Sequence, residues 1–290
     1  MSAGTCCQSN VQEPVFPSGI AAIICAAGSS SRFNGNGKDG VKKEYLPFGP
    51  SNTSVLGASV EAFISCPNVG PLVITVPPGC AGDAESCLSE RVKNQGRVYF
   101  ADGGKSRRES VHNALLFLKK LSLLQNSVSF ADAFAFSRPM GCENAVFSGR
   151  NCKTSVLQFP QFSVNYVLIH DGARPWVSPA LIGRVIEAMV RYKAVIPVVP
   201  ALETPKLYDD SGFVQKHLRR NGLGFAQTPQ GFAFPEILAA HEKAGLRERE
   251  EAHEYTDDAE VWGEFIGPVA VVEGDTENRK ITFSGDLRLC

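Results

Sequence analysis

The sequence carries almost no net charge. Its 29 Lys and Arg residues stand against 30 Asp and Glu residues, which gives a formal charge of −1 at pH 7. This balance provides no general attraction to nucleic acid or to an anionic membrane surface. No apolar run approaches the length that a bilayer-spanning helix needs. We therefore expect neither partner, and a small polyanionic ligand would have to be bound by a local basic cluster.

Cysteine pairs and a signal peptide are also missing. The nine cysteines are odd in number and none forms a C-x-x-C pair, which argues against a zinc site and against a secreted disulfide framework. Residues 1–18 are polar and lack the basic-then-apolar order of a secretory signal. We expect reduced thiols, a cytoplasmic location and a disordered leader over residues 1–18.

What the chain does contain is an alternation of strand-like apolar runs with helix-like patterns. Of its 290 residues, 43% are hydrophobic and 20% charged, as in a globular protein with a substantial core. Ser54, Ser178 and Thr256 are predicted to cap the N-termini of helices. The rhythm predicts an α/β fold with a doubly wound, mostly parallel sheet. The predicted strands cover residues 20–25, 72–76, 98–101, 166–169, 194–199 and 269–273.

Two stretches interrupt this rhythm. Residues 121–162 are rich in Ser, Phe, Asn and Gly, which predicts a surface insertion. Residues 202–222 contain the run Asp209-Asp210-Ser211-Gly212 between two apolar pairs, a pattern typical of a β-hairpin. Such a hairpin is either a dimer arm or a simple surface feature. We expect residues 19–290 to form a single domain that carries both stretches.

A loop of small residues follows the first predicted strand. The run from Ala26, Ala27 and Gly28 leads to Arg32, and Lys43 follows behind a glycine-rich segment. Small residues allow backbone N–H groups to approach phosphate oxygens, and the two cations add charge-assisted contacts. At the carboxyl end of a strand this pattern predicts a nucleotide-phosphate loop. The alternative is an ordinary strand-to-helix turn with a solvated arginine.

Two further strand ends carry polar motifs. Gly103 and Gly104 precede Ser110, which suits close contact with a base or sugar; a tight turn with exposed charges is the alternative. Asp171 follows the most apolar predicted strand, and Arg174 is placed to orient it. A carboxylate there suits Mg²⁺ bound to phosphates, although a lone Asp also serves as a turn or capping residue.

Basic residues recur in the last third of the chain. Arg219 and Arg220 precede a run that contains Thr228, and adjacent arginines with a threonine suit a phosphate monoester. Lys280 follows the last predicted strand and is placed to reach the same cleft.

In this order, the motifs resemble the 2-C-methyl-D-erythritol 4-phosphate cytidylyltransferase family. The resemblance runs from about residue 19 to residue 287, except for the insertion. The matching segments are Ala26-Ala27-Gly28 with Arg32, Lys43-Glu44-Tyr45-Leu46, Gly103-Gly104 with Arg107 and Ser110-Val111, His170-Asp171-Gly172-Ala173-Arg174-Pro175, Ala226-Gln227-Thr228-Pro229-Gln230, Thr256-Asp257-Asp258-Ala259, and Asn278 with Lys280-Ile281-Thr282. Any one motif is weak, whereas the ordered set is specific.

The resemblance implies a Rossmann-like nucleotidyltransferase fold with a projecting β-hairpin arm. It also implies CTP and a sugar-alcohol phosphate as substrates, Mg²⁺ as cofactor, and a homodimer in which the arm completes the neighbouring active site. The implied residues are Arg32, Lys43, Arg220 and Lys280 for catalysis, Ala26, Ala27, Gly28, Gly104, Ser110 and Arg174 for CTP, Thr204, Thr228 and Thr256 for the second substrate, and Asp171 for the metal ion.

The match has departures and rivals. Glu203 and Pro205 stand where the family has an aspartate and a β-branched residue, which affects the arm more than the chemistry. The nearest alternative is a ribitol-5-phosphate cytidylyltransferase or another sugar-phosphate pyrophosphorylase. A non-catalytic nucleotide-binding relative is a more remote one, because it would lack Lys43, Asp171 or Lys280, and all three are present.

Overall fold

A computed structural model describes residues 19–34, 40, 42–49, 53–124, 163–251 and 253–289. The predicted leader, residues 1–18, lies outside the described residues, as do residues 125–162 of the predicted insertion. Residues 121–124, which we expected to belong to the insertion, are instead the last turn of a helix.

A mixed sheet forms the centre of the molecule. Four of its seven strand pairs are parallel, and the antiparallel pairs all lie on one side of the sheet. The strand order is β10-β7-β11-β6-β1-β4-β5, and β12 also pairs with β7. Its strands are β1 (Ile20–Cys25), β4 (Val69–Val76), β5 (Val98–Asp102), β6 (Tyr166–Asp171), β7 (Ala194–Pro200), β10 (Gly224–Ala226), β11 (Gln230–Ala233) and β12 (Ala270–Glu273).

Helices cover both faces of this sheet. They are α1 (Ser31–Asn34), α2 (Val55–Ile64), α3 (Ala81–Ser86), α4 (Glu90–Lys93), α5 (Arg107–Leu124), α6 (Pro179–Met189), α7 (Phe234–Glu251) and α8 (Asp258–Phe265). Two 3₁₀ turns, Lys43–Tyr45 and Ser284–Leu289, and a small pair of strands, β2 (Pro47–Phe48) and β3 (Thr53–Ser54), complete the described domain. Within the described ranges, no helix is long and apolar enough to cross a membrane.

The position of β1 at the centre of the sheet explains why its sequence is continuously apolar. In β1, Ile20, Ala22 and Ile24 pack on one face against α2 and α6, while Ala21 and Ile23 pack on the other against α5 and α7. All five side chains are fully buried. A strand covered on both faces needs apolar residues at successive positions, and not at alternate ones.

The predicted α/β class and the mostly parallel sheet are confirmed, and every predicted strand is present, β1 with its predicted ends and the others with ends moved by a few residues. Ser54 and Ser178 cap α2 and α6 through their hydroxyl groups, as expected. The expected cap at Thr256 is wrong. Asp257 caps α8, because its carboxylate accepts a hydrogen bond from the Glu260 N–H, whereas the Thr256 hydroxyl donates to the Glu260 carboxylate.

The predicted hairpin is also present. Strands β8 (Lys206–Tyr208) and β9 (Val214–His217) pair antiparallel as a separate two-stranded sheet, and all seven of their residues are exposed. The carboxylate of Asp209 accepts hydrogen bonds from the N–H groups of Ser211 and Phe213, and Gly212 takes a φ of 82° in the turn. The side chain of Asp209 and a residue free to adopt a positive φ therefore build this turn. We call residues 202–222 the arm.

Candidate active site

The carboxyl ends of β1, β4, β5 and β6 open onto one cavity. Its volume is about 730 Å³, within the range of ~300–1,000 Å³ that is usual for small-ligand sites. Among the described residues, its wall holds six cationic side chains and three carboxylates. The cations are Arg32, Lys42, Lys43, Lys105, Arg107 and Lys280, and the carboxylates are Glu44, Asp171 and Glu254. This excess of positive charge favours a polyanionic ligand.

The loop after β1 is fastened to the segment that carries Lys43. Ser30 adopts a positive φ of 55°, which is uncommon for a residue with a side chain. Its hydroxyl donates a hydrogen bond of 3.1 Å to the buried carboxylate of Glu44 and accepts one of 3.4 Å from the Lys43 N–H. The fold thus brings Arg32 of α1 and Lys43 to the same wall of the cavity.

Lys43 is held from the opposite direction as well. Its ammonium donates a 2.7 Å hydrogen bond to the Ile281 carbonyl, far along the chain. Burial lowers the pKa of Lys43, and the nearby charges of Lys280 and Arg32 act in the same direction, against Glu44 and Asp171. Lys43 and Arg32 would both attract an anionic ligand.

The turn between β5 and α5 leaves no room for side chains. A Cβ atom on Gly103 would lie 2.2 Å from the Cβ of Ala27, so only glycine allows the two loops to approach this closely. The Gly104 N–H donates a 3.0 Å hydrogen bond to the hydroxyl of Ser110, in the first turns of α5. Ala27, Gly104 and Ser110 therefore form one continuous patch of the cavity wall.

Asp171, at the end of β6, is the centre of the site's electrostatics. Its carboxylate lies 2.8 Å from the Lys280 ammonium and 3.5 Å from each of the guanidinium Nε atoms of Arg107 and Arg174. Burial alone would raise the pKa of Asp171, but these three cations hold it well below its usual range. The carboxylate is therefore ionised at neutral pH.

Thr228 supports Asp171 from behind. Its buried hydroxyl accepts a 3.1 Å hydrogen bond from the Asp171 N–H and lies 2.9 Å from Nδ1 of His170. Burial lowers the pKa of His170 to about 3, so the ring is neutral. The hydroxyl then donates to Nδ1, and Nε2 carries the proton that faces the Arg174 carbonyl at 3.4 Å.

A strap of residues 275–282 places Lys280 opposite Asp171. The Ile281 N–H donates to the Ala173 carbonyl at 2.8 Å, and the Arg174 guanidinium donates to the Asn278 carbonyl at 2.8 Å. The fully buried amide of Asn278 donates to the Thr228 carbonyl at 2.8 Å. Because each contact joins the strap to the Asp171 or Thr228 loop, the position of Lys280 is fixed relative to the carboxylate.

The structure brings together eight of the fourteen residues that the sequence singled out. Those that line the cavity are Ala27, Gly28, Arg32, Lys43, Gly104, Ser110, Asp171 and Lys280. The remaining six lie elsewhere: Ala26 is fully buried beside the loop, Arg174 and Thr228 lie behind Asp171, Thr256 is at the start of α8, and Thr204 and Arg220 are on the arm. The role assigned to each of the fourteen stays a prediction.

Sequence reasoning missed several cavity residues. Arg107 belongs to a motif that we quoted, but its place between two buried carboxylates, Asp171 and Asp258, depends on contacts across three elements. Glu254 follows α7 and reaches the cavity without any local signal. Lys42 would have been suggested only by its position next to Lys43.

The carboxylates of the site could hold a metal ion only together with oxygen atoms from a bound ligand. Across the described ranges, no group of three His, Cys, Asp or Glu side chains is placed to share an ion. An ion at Asp171 would therefore have fewer than three such protein ligands, and the phosphate oxygens of a nucleotide would have to supply others. That division of ligands is usual for Mg²⁺, so the residues fit the ion when it arrives with a nucleotide.

An open α/β sheet with a cation-rich cavity around Asp171 at its strand ends suits an enzyme that acts on nucleotides, and the class that fits here is the nucleotidyltransferases. Within that class, the chain belongs to the family IspD: 2-C-methyl-D-erythritol 4-phosphate cytidylyltransferase, whose family model matches residues 20–135 and 143–290.

Similar proteins agree with this assignment. The chain is 30% identical over 269 residues to the 2-C-methyl-D-erythritol 4-phosphate cytidylyltransferase of Pelotomaculum thermopropionicum, covering 92% of this chain and 91% of that protein. It is 31% identical over 272 residues to the bifunctional enzyme IspD/IspF of Brucella anthropi, covering 93% of this chain. The chain spans about half of that relative's length, 54%.

A solved structure supports the fold independently. The 4-diphosphocytidyl-2C-methyl-D-erythritol synthase of Anaerococcus prevotii superposes with a TM-score of 0.66 at 24% identity, and the match covers 94% of each chain.

Proposed function

We propose that the protein transfers the CMP moiety of CTP to 2-C-methyl-D-erythritol 4-phosphate. The products are 4-diphosphocytidyl-2-C-methyl-D-erythritol and pyrophosphate, in the non-mevalonate route to isoprenoid precursors. The observation that carries this proposal is the convergence of Arg32, Lys43 and Lys280 on a cavity that also holds the ionised Asp171. A triphosphate supplies the negative charge that this wall lacks.

The reaction needs little proton transfer from the protein. The phosphate of the sugar alcohol is largely ionised at neutral pH, so its oxygen attacks the α-phosphorus of CTP directly and pyrophosphate leaves on the opposite side. Two anions must be brought together, and negative charge that shifts toward the leaving group must be stabilised. Cations fixed before the substrate arrives serve both purposes.

We assign these tasks to different walls of the cavity. Ala27, Gly28, Gly104 and Ser110 form the side that we assign to cytidine. We assign the β- and γ-phosphates to Arg32 and Lys43, which line the cavity, and the α-phosphate to Lys280, which lies beside Asp171. Asp171 would hold Mg²⁺ together with phosphate oxygens, and the bound ion would neutralise charge on the triphosphate.

The second substrate's phosphate is assigned to the arm. Arg220 donates a 3.2 Å hydrogen bond to the Leu202 carbonyl and lies, like Thr204, outside the cavity wall of its own chain. We infer that two chains pair through the arm, so that Arg220 and Thr204 of each reach the partner's cavity. The exposed apolar side chains of the arm support this arrangement. The cytoplasmic location stays a prediction.

A substrate panel tests the proposal. Pyrophosphate release from CTP and Mg²⁺ is measured with 2-C-methyl-D-erythritol 4-phosphate, ribitol 5-phosphate and other sugar phosphates. We expect turnover with the first compound, and its loss in Asp171→Asn. Turnover with ribitol 5-phosphate alone would replace the substrate assignment, while CTP binding without turnover on any compound would favour a non-catalytic relative.

A further inference from the structure

A buried chain of ionisable side chains runs from the cavity into the packing of three helices. The guanidinium of Arg107, the first residue of α5, lies 2.8 Å from the carboxylate of Asp258, the first residue of α8. The other oxygen of Asp258 lies 3.3 Å from Nε2 of His241 on α7. Asp258 and His241 are both fully buried, so neither contacts a ligand in the cavity.

Arg107 connects this chain to the site. Its Nε atom lies 3.5 Å from Asp171 while its Nη2 atom faces Asp258, so the guanidinium bridges the two carboxylates and also lines the cavity. A planar guanidinium held on two sides has one orientation, which a lone surface arginine would not have. Burial would raise the pKa of Asp258, but Arg107 and His241 lower it, which keeps the carboxylate charged.

The start of α8 is itself anchored to the sheet. The side-chain amide of Gln230, in β11, donates a 2.8 Å hydrogen bond to Asp257 and accepts one of 3.1 Å from the Ala259 N–H. These bonds lie on either side of Asp258 in the sequence. The carboxylate that holds Arg107 therefore has a fixed place relative to the strand ends.

We propose that Asp258, steadied by His241, is a positioning residue that orients Arg107 in the cavity wall and, through Arg107, the carboxylate of Asp171. For its kinetic consequences this inference rests on the proposed function, because Arg107 and Asp171 belong to the proposed CTP site. The orientation of Arg107 itself does not depend on what the site does.

The helix that carries Arg107 provides a matched control. The next residue, Arg108, pairs with Glu248 of α7 at 2.6 Å, and that ion pair is also largely buried between α5 and α7. Arg108 does not line the cavity. Glu248→Gln and Asp258→Asn thus each remove one carboxylate charge from an arginine at the start of α5, but only Asp258→Asn affects an arginine of the site.

The kinetic test compares these two variants. We expect Asp258→Asn to lower kcat/KM for CTP by about 10- to 100-fold, the loss typical of removing a residue that orients the ligands of a metal site. Glu248→Gln should change thermal stability without changing either kinetic constant. Arg107→Lys, which keeps the charge and loses the planar fork, should reproduce the Asp258→Asn loss. Adding Asp258→Asn to Arg107→Lys should then cost little more.

A ligand-free measurement separates this inference from the proposed function. In ¹⁵N spectra the Nε–H resonance of Arg107 should be sharp in the natural protein and in Glu248→Gln, and broadened or shifted in Asp258→Asn. An unchanged resonance in Asp258→Asn would overturn the inference whatever the activity. If Asp258→Asn does not fold, full kcat/KM for CTP in Arg107→Lys would overturn it. If no sugar phosphate is a substrate, the proposed function is wrong, and the Arg107 resonance still tests whether Asp258 orients Arg107.

Discussion

At the scale of single residues, Asp171 shows how one buried carboxylate organises a cationic site. Three cations lie within 3.5 Å of it, yet one carboxylate neutralises only one of them. Asp258 compensates a second cation, Arg107, and the remaining positive charge faces the cavity through Lys280, whose side chain is 34% exposed. The ionised Asp171 therefore keeps the cations in place without cancelling their attraction for a triphosphate.

Lys280→Ala tests this view of the site. The variant should fold, because Arg107 and Arg174 still compensate the buried charge of Asp171. Pyrophosphate release should fall by about 10²–10³-fold, the usual loss for one group that stabilises transition-state charge. The neighbouring Arg279→Ala is a suitable control, because Arg279 lies over the Trp176 ring at 5.1 Å and not in the cavity wall. Near-normal activity in Lys280→Ala would contradict the charge assignment.

His112 provides a prediction about pH. Burial lowers its pKa, and the neighbouring His241 and Arg108 lower it further. In the unfolded chain the imidazole takes up a proton below about pH 6.5, whereas the folded state resists it. The free energy of unfolding should therefore fall as the pH drops below about 6.5.

The comparison for this prediction is His112→Gln. Denaturant unfolding between pH 7.5 and 5 should show a weaker decline of stability in the variant than in the natural protein. Some decline should persist, because His170 is also held neutral by burial. Equal slopes in the two proteins would show that His112 titrates alike in the folded and unfolded states.

At the scale of secondary-structure elements, the β5–α5 turn depends on Gly103. Gly103→Ala should lower the free energy of unfolding by about 1–3 kcal/mol, the usual cost of inserting an atom into a packed site, because the added Cβ would lie 2.2 Å from the Cβ of Ala27. CTP affinity should fall too, since both loops line the cavity.

Gly82→Ala in α3 is the matched control, because apart from its chain neighbours and the backbone of its own helix no atom lies within 4 Å of the added Cβ. That variant should be at least as stable as the natural protein, since alanine favours helix. Chemical denaturation and calorimetric CTP binding measure both effects. Equal stability of the two variants would mean that the loops separate at little cost.

Some secondary-structure elements could be predicted from the sequence and others could not. The strands of the parallel core were predictable because residues such as Ile23 and Ile24 must be apolar on both faces. The antiparallel strands β10 and β11 were not, since their pairing with β7 depends on partners distant in sequence. The helix α7 was also missed.

The residues of the candidate site also divide into those that the sequence predicts and those that it does not. The residues that line it from loops at strand ends, such as Lys43 and Asp171, follow from local patterns. The supports behind them do not. Thr228 beneath Asp171 and Asp258 beside Arg107 hold their partners through contacts between distant segments, and no spacing in the sequence encodes such contacts.

At the scale of the whole molecule, the arm is the feature that a single chain does not explain. It presents apolar side chains to solvent, among them Leu207, Tyr208, Phe213 and Val214, each at least 50% exposed. A two-stranded hairpin has little stability alone, and exposed apolar patches usually mark an interface. Arg220 also lies outside the cavity of its own chain. Pairing two arms would cover the apolar side chains and bring Arg220 to the partner's cavity.

Tyr208→Asp combined with Val214→Asp tests this arrangement. The two residues are paired across the hairpin, so the substitutions put two like charges on one patch without touching the core. We expect the natural protein to be a dimer at micromolar concentration by light scattering and the double variant to be a monomer. KM for the sugar phosphate should rise in the variant while CTP affinity is retained, because the proposed arrangement takes only the phosphate clamp from the partner. Leu246→Asp, an exposed position on α7, should leave the dimer intact. A natural protein that is monomeric under these conditions, or a monomeric variant with unchanged KM, would show that the arm does not complete the partner's site.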